Sequence, residues 1–61
     1  MKIPKGETLW INYMSNGEIT HIVTSDIMRT NYYLYKFNDG ELIKTKYKNK
    51  DPTQLEKYLK D

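Results

Sequence analysis

The sequence predicts an α+β fold, in which a four-stranded antiparallel β-meander made of two hairpins carries one C-terminal helix packed on one face. Two turn signals and one helix signal support this prediction. Residues 15–17 (Ser-Asn-Gly) and 38–40 (Asn-Asp-Gly) each separate stretches rich in aromatic and β-branched residues. Asn-Gly and Asp-Gly accept the positive φ that tight hairpin turns require. With only 61 residues, the chain is expected to form a single small domain, residues 1–61, with little core.

Each hairpin is predicted from two segments in which side chains alternate with the two-residue period of a half-buried strand. The first hairpin joins residues 8–14 to residues 18–24, and the second joins residues 30–37 to residues 41–48. Residues 25–29, between the hairpins, fit either a single helical turn or a loop. We favour the loop.

The turn of the second hairpin decides which side chains of its two strands share a face. A two-residue turn at Asp39 and Gly40 pairs Tyr35 with Lys44 and mixes rings with charges. A three-residue turn with a bulge at Gly40 instead pairs Tyr35 with Ile43 and separates rings from charges. Because a slip of one residue exchanges whole faces, we predict the bulged turn, which segregates polarity.

Residues 51–60 are predicted to form the helix. Asp51 is a favourable N-cap, and Pro52 suits the first helical position, where its missing N–H costs nothing. The apolar stripe of this helix consists of Leu55, Tyr58 and Leu59. Because a helix this short does not persist alone in water, it must dock on the sheet.

A single helix about 10 Å wide covers only one face of a four-stranded sheet. The predicted covered face consists of Leu9, Ile11, Tyr13, Val23, Tyr33, Tyr35, Phe37 and Ile43. The opposite face then exposes apolar residues among lysines, and such a patch typically marks an interface. Its predicted partner-binding residues are Trp10, Met14, Ile22, Tyr32, Leu34, Lys36, Leu42, Lys44 and Lys46. Two alternatives stay open: the sheet curls toward a small barrel and buries both faces, or the aromatic side chains are simply exposed.

The charge distribution suggests a second kind of partner. The chain carries 10 basic and 8 acidic residues, a net charge of +2, but residues 32–50 hold five lysines against two acidic residues. Tyrosine rings that stack on bases and lysines that neutralise phosphates are typical of single-stranded nucleic-acid binding. Lysines that guard an edge strand against aggregation explain the same pattern.

No group of residues predicts catalysis, a cofactor or a metal site. The chain has no cysteine, and His21 is its one histidine. Ser25 and Asp26 lie within six residues of His21, but no glycine-rich oxyanion turn accompanies them. We therefore expect a non-enzymatic regulator or inhibitor that contacts a protein partner or a second copy of itself, and no small-molecule substrate. Residues 27–29 (Ile-Met-Arg) are predicted either to contact that partner or to plug the edge of the core.

Localisation and origin are predicted from composition. The longest apolar run spans three or four residues, far fewer than a membrane span needs. The first seven residues contain no apolar segment typical of a secretion signal, so we expect a cytoplasmic protein. The absence of alanine and the abundance of Lys, Asn, Ile and Tyr favour an AT-rich bacterial or phage genome.

Overall fold

The computed structural model describes residues 2–59 and confirms the antiparallel meander followed by one short helix. The strands are β1 (Glu7–Ser15), β2 (Glu18–Asp26), β3 (Tyr32–Asn38) and β4 (Glu41–Asn49). They lie in the order β1-β2-β3-β4, so the sheet is open and β1 and β4 are its two edges. A 3-10 helix, Pro52–Tyr58, follows β4. Nowhere in residues 2–59 is there a helix with the length and apolar character needed to cross a membrane.

Both hairpins close with a two-residue turn of the type I′ kind. In the second hairpin φ is 52° at Asp39 and 80° at Gly40, and Asn38 pairs with Glu41. Positive φ recurs at residues 16–17 of the first hairpin. The predicted three-residue bulged turn is therefore wrong. Two successive left-handed residues match the right-handed twist of the strands, and this local geometry outweighs the segregation of polarity.

The two-residue turn sets the register of β3 against β4. Tyr35 pairs with Lys44, whereas Ile43 pairs with Lys36. Farther from the turn the pairing becomes irregular, because Tyr35 pairs with Lys44 but Tyr33 pairs with Lys48. Two residues of β3 are thus matched by four residues of β4. The second hairpin therefore does contain a register shift, but the shift lies within its strands and not at its turn, where the bulge was predicted.

The side chain of Thr45 supports this irregular part of β4. Its hydroxyl donates a hydrogen bond to the Leu34 carbonyl oxygen (2.7 Å) and accepts one from the Tyr47 N–H (3.2 Å). The Thr45 hydroxyl therefore pairs with backbone groups of both strands at the point where the backbone pairing shifts.

The register exchanges the predicted faces of β3. Tyr32 and Leu34 lie beneath the helix, where they form a cluster with Val23 and Leu55. Their exposed fractions are only 7% and 1%, so their predicted exposure is wrong. Tyr33 and Tyr35 point to the helix-free side because strand side chains alternate between faces.

Ile22 lies on the helix-free side of the sheet, as predicted, but it is buried rather than exposed. It pairs with Tyr35 on the helix-free side, yet it is 0% exposed and Tyr35 is 3% exposed. The central strands have a paired neighbour on each side, and Ile22 lies between Asn12 of β1 and Tyr35 of β3. The predicted exposed face is therefore wrong for β2 and β3, even though the sheet stays open at β1 and β4.

A bulge changes the faces of β1. Leu9 pairs with Thr24 and Ile11 with Val23, so Trp10 is an extra residue in β1. The Trp10 ring meets the Tyr32 ring edge-on at 5.2 Å between centroids, which places it on the helix side. The predicted faces of Trp10 and Leu9 are thus both wrong. Leu9 shares the helix-free side with Thr24.

Lys36 also lies on the helix side rather than the opposite one, and it is half-buried. It pairs with His21 in β2 and with Ile43 in β4. The cause is the same exchange of faces that moves Tyr32 and Leu34.

The helix begins where it was predicted but is a 3-10 helix. Asp51 caps it, since its carboxylate accepts hydrogen bonds from the Thr53 N–H (3.0 Å) and hydroxyl (2.8 Å). With three residues per turn, Leu55 and Tyr58 lie above one another on the face that meets β3 and β4. Leu55 is fully buried, and Tyr58 stacks on Tyr47 at 3.8 Å between centroids. Residue 60, the predicted last residue, lies outside the described residues.

Candidate functional site

The two edges of the sheet differ in chemistry. Within β4, lysines recur at every second position, and Lys50 follows the strand. Within β1, Glu7 is the only charged residue, and the strand contains no lysine, arginine or proline. Lysine, proline and short length are the usual protections of an edge strand against pairing. The structure therefore presents one guarded edge and one unguarded edge.

The unguarded edge also exposes large apolar side chains. We define the β1 edge as the outer backbone of β1 together with Leu9 (45% exposed), Trp10 (44%), Ile11 (41%) and Met14 (59%). No strand among residues 2–59 pairs with the outer side of β1. Its outward N–H and C=O groups are thus available to another strand.

Trp10 is held between two residues rather than left mobile. Tyr32 supports one side of its ring, and the Arg29 guanidinium carbon lies 5.6 Å from the ring centroid in a cation–π contact. Trp, Tyr and Arg are the residue types that most often carry the energy of protein interfaces. Here all three are in contact at one end of β1.

The loop between β2 and β3 positions Arg29. The Arg29 N–H donates to the Asp26 carbonyl oxygen at 3.0 Å, and φ at Arg29 is 58°. The Asp26 carboxylate accepts from the Thr30 hydroxyl (2.6 Å) and the Thr30 N–H (2.7 Å). The hydrogen bond from the Thr30 hydroxyl is the main cause that lowers the pKa of Asp26. The loop is thus a hydrogen-bonded turn, as favoured from the sequence, and not a helix.

Ile27 and Met28 form the tip of this loop. They are 72% and 79% exposed, so they do not plug the edge of the core. Their exposure extends the apolar surface beyond Arg29 on the same loop.

On the helix-free side, one carboxylate joins three strands. Glu7 Oε1 accepts hydrogen bonds from the Thr24 hydroxyl (2.6 Å) and from the Tyr35 hydroxyl (2.8 Å). Burial, and then the bond to Glu7, raise the pKa of Tyr35 to about 12. All three groups are used in holding β1, β2 and β3 together, which is a structural role.

The guarded edge carries a row of lysines next to a tyrosine. The row consists of Lys44, Lys46, Lys48 and Lys50, all of them exposed. Lys44 Nζ lies 5.0 Å from the centroid of the Tyr33 ring, and Lys48 pairs with Tyr33 across the ladder. Positive charge and an aromatic ring therefore meet on the helix-free side of β4.

His21 is a buried residue of β2. Its Nδ1 lies 3.0 Å from the Thr20 hydroxyl, whereas its buried Nε2 has no hydrogen-bond partner. Burial, and then the charge of Lys36, lower the pKa of His21. Across residues 2–59, no three His, Cys, Asp or Glu side chains are grouped so that they could hold a metal ion.

A shallow depression between the two hairpin turns completes the surface. Met14, Ile19 and Phe37 contribute its apolar wall, and Glu18 and Asp39 lie among its polar residues. It is wide open to solvent and contains no buried polar group that points to a ligand.

The structure does not bring the nine predicted site residues onto one surface. Trp10 and Met14 lie on β1, Lys44 and Lys46 lie on β4, and Leu42 is half-buried beside Phe37. The other four are the buried Ile22, Tyr32 and Leu34 and the half-buried Lys36.

Sequence reasoning left Leu9 and Ile11 out of the site, because both were predicted to be covered. A signal was present in the sequence: residues 8–17 contain no charge, while β4 has a lysine at every second position. No protein-family model, curated protein or solved structure matches this chain.

Proposed function

We propose that this protein is a small non-enzymatic binding module, a regulator or inhibitor that contacts a protein partner at the β1 edge. The partner contributes an extended strand that adds to the sheet beside β1, so that main-chain hydrogen bonds supply affinity. The observation that carries the proposal is the unpaired outer side of β1, charged only at Glu7, in contrast to the lysine-guarded β4 at the opposite edge of the sheet. The interface thus lies at the edge of the sheet rather than on its helix-free face.

The side chains of the β1 edge define the chemistry of that partner strand. Trp10 and Ile11 lie on the helix side, and Leu9 lies on the helix-free side. A strand with apolar side chains on both faces therefore fits. Arg29, held over Trp10, favours a carboxylate on the partner near this end of β1.

A selection from a displayed library of random peptides, about twelve residues long, tests this function. The immobilised protein should enrich peptides that carry apolar residues at successive positions, and so on both faces of an extended strand, with no proline in the middle. Ile11→Lys places a charge on the β1 edge and should abolish their binding. The matched control is Ile43→Lys, since Ile43 is similarly exposed (47%) but lies on β4. Enrichment no greater than on a blank surface, or equal binding by both variants, would contradict the proposal.

A second candidate function is single-stranded nucleic-acid binding at β4, and the contact between Lys44 and Tyr33 favours it. Tyr33 offers a ring for base stacking, and the four-lysine row follows the strand. If all four lysines neutralise phosphates of a single strand, affinity should fall about 50-fold between roughly 50 and 200 mM salt.

Fluorescence anisotropy with a labelled oligonucleotide of about 20 nucleotides tests this candidate. Lys44→Gln combined with Lys48→Gln should weaken binding, whereas Lys57→Gln in the helix should not. The absence of binding at low salt, or an affinity that does not change with salt concentration, would exclude nucleic-acid binding at β4.

A further inference from the structure

We propose that the strand received by the β1 edge is β1 of a second copy, so that two chains form one continuous eight-stranded sheet. This inference rests on the proposed function of the β1 edge and names its partner. A two-fold axis perpendicular to the sheet makes the two β1 strands antiparallel, and each presents the same residues to the other.

The charge pattern of β1 suits a self-contact. In a symmetric antiparallel contact a charge near the centre of the strand meets its own copy, and an edge that carries charges of one sign along its length meets charges of that same sign. Residues 8–17 carry no charge, and β1 therefore pairs with itself without juxtaposing like charges. Pairing of β4 with β4 would instead bring two rows of lysines together.

The difference in charge between β1 and β4 also limits the assembly to two chains. Pairing of β1 with β4 of another copy would leave free edges and extend into an open fibre. The lysines of β4 oppose that contact, because their ammonium groups would be crowded against a neighbouring strand. Pairing through β1 alone leaves the two guarded β4 edges outermost.

Glu7 is already hydrogen-bonded on the helix-free side, and two further residues place unlike charges near the ends of β1, where an antiparallel contact brings them together. Arg29 lies over Trp10 toward the Glu7 end, and Glu18 follows the turn at the Ser15 end. Antiparallel pairing brings the Glu7 end of one copy to the Ser15 end of the other. Each dimer therefore gains two approaches of Arg29 to Glu18. Both residues are exposed.

The bulge at Trp10 limits the length of this contact. Together with a second register shift, between Tyr13 and Met14, it divides the regularly paired part of β1 into residues 7–9, 11–13 and 14–15. So short a contact falls below the buried area of about 1,200 Å² typical of stable complexes. We therefore expect a weak dimer, with a dissociation constant between about 10 µM and 1 mM.

Sedimentation velocity of the full chain from about 10 µM to 1 mM tests the inference over this range. The mass should rise with concentration from 7.3 kDa toward twice that value. Ile11→Lys should raise the dissociation constant at least tenfold, while Ile43→Lys should leave it within twofold. A wild-type monomer throughout, or equal dimerisation of both variants, would overturn the inference.

Cross-linking identifies the edge independently, because the chain has no cysteine. With a mild thiol oxidant such as diamide to accept the two electrons, Asn12→Cys, exposed on β1, should form an intermolecular disulfide at a rate that rises with protein concentration. Lys46→Cys, exposed on β4, should form it at least tenfold more slowly. Equal rates would overturn the inference.

The two proposals can fail separately. A monomer that still selects peptides through the β1 edge would refute the second copy and leave the proposed function standing. A dimer that selects no peptide would support the second copy and restrict the edge to self-contact.

Discussion

The Glu7 carboxylate supports a quantitative prediction, because one of its oxygens holds hydroxyl groups from two other strands. Thr24 donates to Glu7 Oε1 at 2.6 Å and Tyr35 at 2.8 Å. Both donor residues are buried, with exposed fractions of 0% and 3%. Water is therefore poorly placed to replace the carboxylate.

The expected cost follows from the groups that each substitution leaves unpaired. Glu7→Ala orphans two buried hydroxyl groups at about 1–3 kcal/mol each, so the free energy of unfolding should fall by about 2–6 kcal/mol. Tyr35→Phe removes one hydrogen bond to a charged group, at about 1.5–3 kcal/mol. The whole domain is expected to have only about 3–9 kcal/mol of stability. Glu7→Ala should thus remove much of it.

Urea unfolding followed by the fluorescence of Trp10, the one tryptophan, measures these costs at pH 7. In the Tyr35→Phe background Glu7→Ala orphans one hydroxyl group instead of two, so its cost should be smaller by about 1–3 kcal/mol. The control is Glu18→Ala, since Glu18 is exposed at a turn. A Glu7→Ala protein within about 0.5 kcal/mol of wild type, or fully additive effects, would refute the reasoning.

The same contact predicts how stability changes in alkali. The pKa of Tyr35 is raised from 10.0 to about 12 in the folded state. The folded protein therefore keeps a proton that the unfolded chain has lost. This contribution to stability is fully present below pH 10 and is lost as the pH rises through 12. Tyr35→Phe should abolish it in unfolding curves measured across that range.

Three further predictions concern the core, a buried histidine and a turn. Leu55→Ala should lower the free energy of unfolding by about 2–5 kcal/mol in urea titrations, and Leu59→Ala, at a half-buried position, by less. Because the pKa of His21 is lowered in the folded state, its contribution to stability is present above about pH 6.5 and is lost as the pH falls through the folded-state pKa. His21→Gln should flatten that dependence in thermal unfolding between pH 7 and 5. Gly40→Ala should cost about 1–2 kcal/mol by circular-dichroism melting, because φ is +80° while the added methyl meets no atom within 4 Å.

The sequence was sufficient to predict the elements of the fold, because their signals are local. Asn-Gly and Asp-Gly fix the two turns through backbone conformation alone, and Asp51 with Pro52 fixes the start of the helix. Each signal acts within four residues. None of them depends on how the strands pack.

The faces of the sheet could not be predicted in the same way. The bulge at Trp10 and the shift between Tyr33 and Tyr35 each alter the pairing without a local turn signal. Polarity gave misleading guidance in the second hairpin, because Lys36 and Lys44 lie on opposite sides of the observed sheet. Both are long enough to reach water from either side.

Among the predicted site residues, Trp10 and Met14 are exposed as expected, whereas Ile22, Tyr32 and Leu34 are buried. Ile22 shows why the rest was missed. Its side was predicted correctly, but its burial depends on β1 and β3, whose paired residues are distant from it in sequence. Leu9 was predicted to be covered but is exposed, because its strand, β1, lies at the edge of the sheet and has a neighbour on one side only.

The lysine distribution makes it hard to regard the β1 edge as incidental. The chain has nine lysines, five of them in residues 36–50, yet none in residues 6–35. One lysine in place of an exposed side chain such as Ile11 would guard the edge, and exposed substitutions usually change stability by no more than about 0.5 kcal/mol. An edge strand without such a lysine can pair with other chains and aggregate, and this substitution would prevent that pairing with little loss of stability. This distribution is the reason for proposing that the β1 edge is occupied when the protein acts.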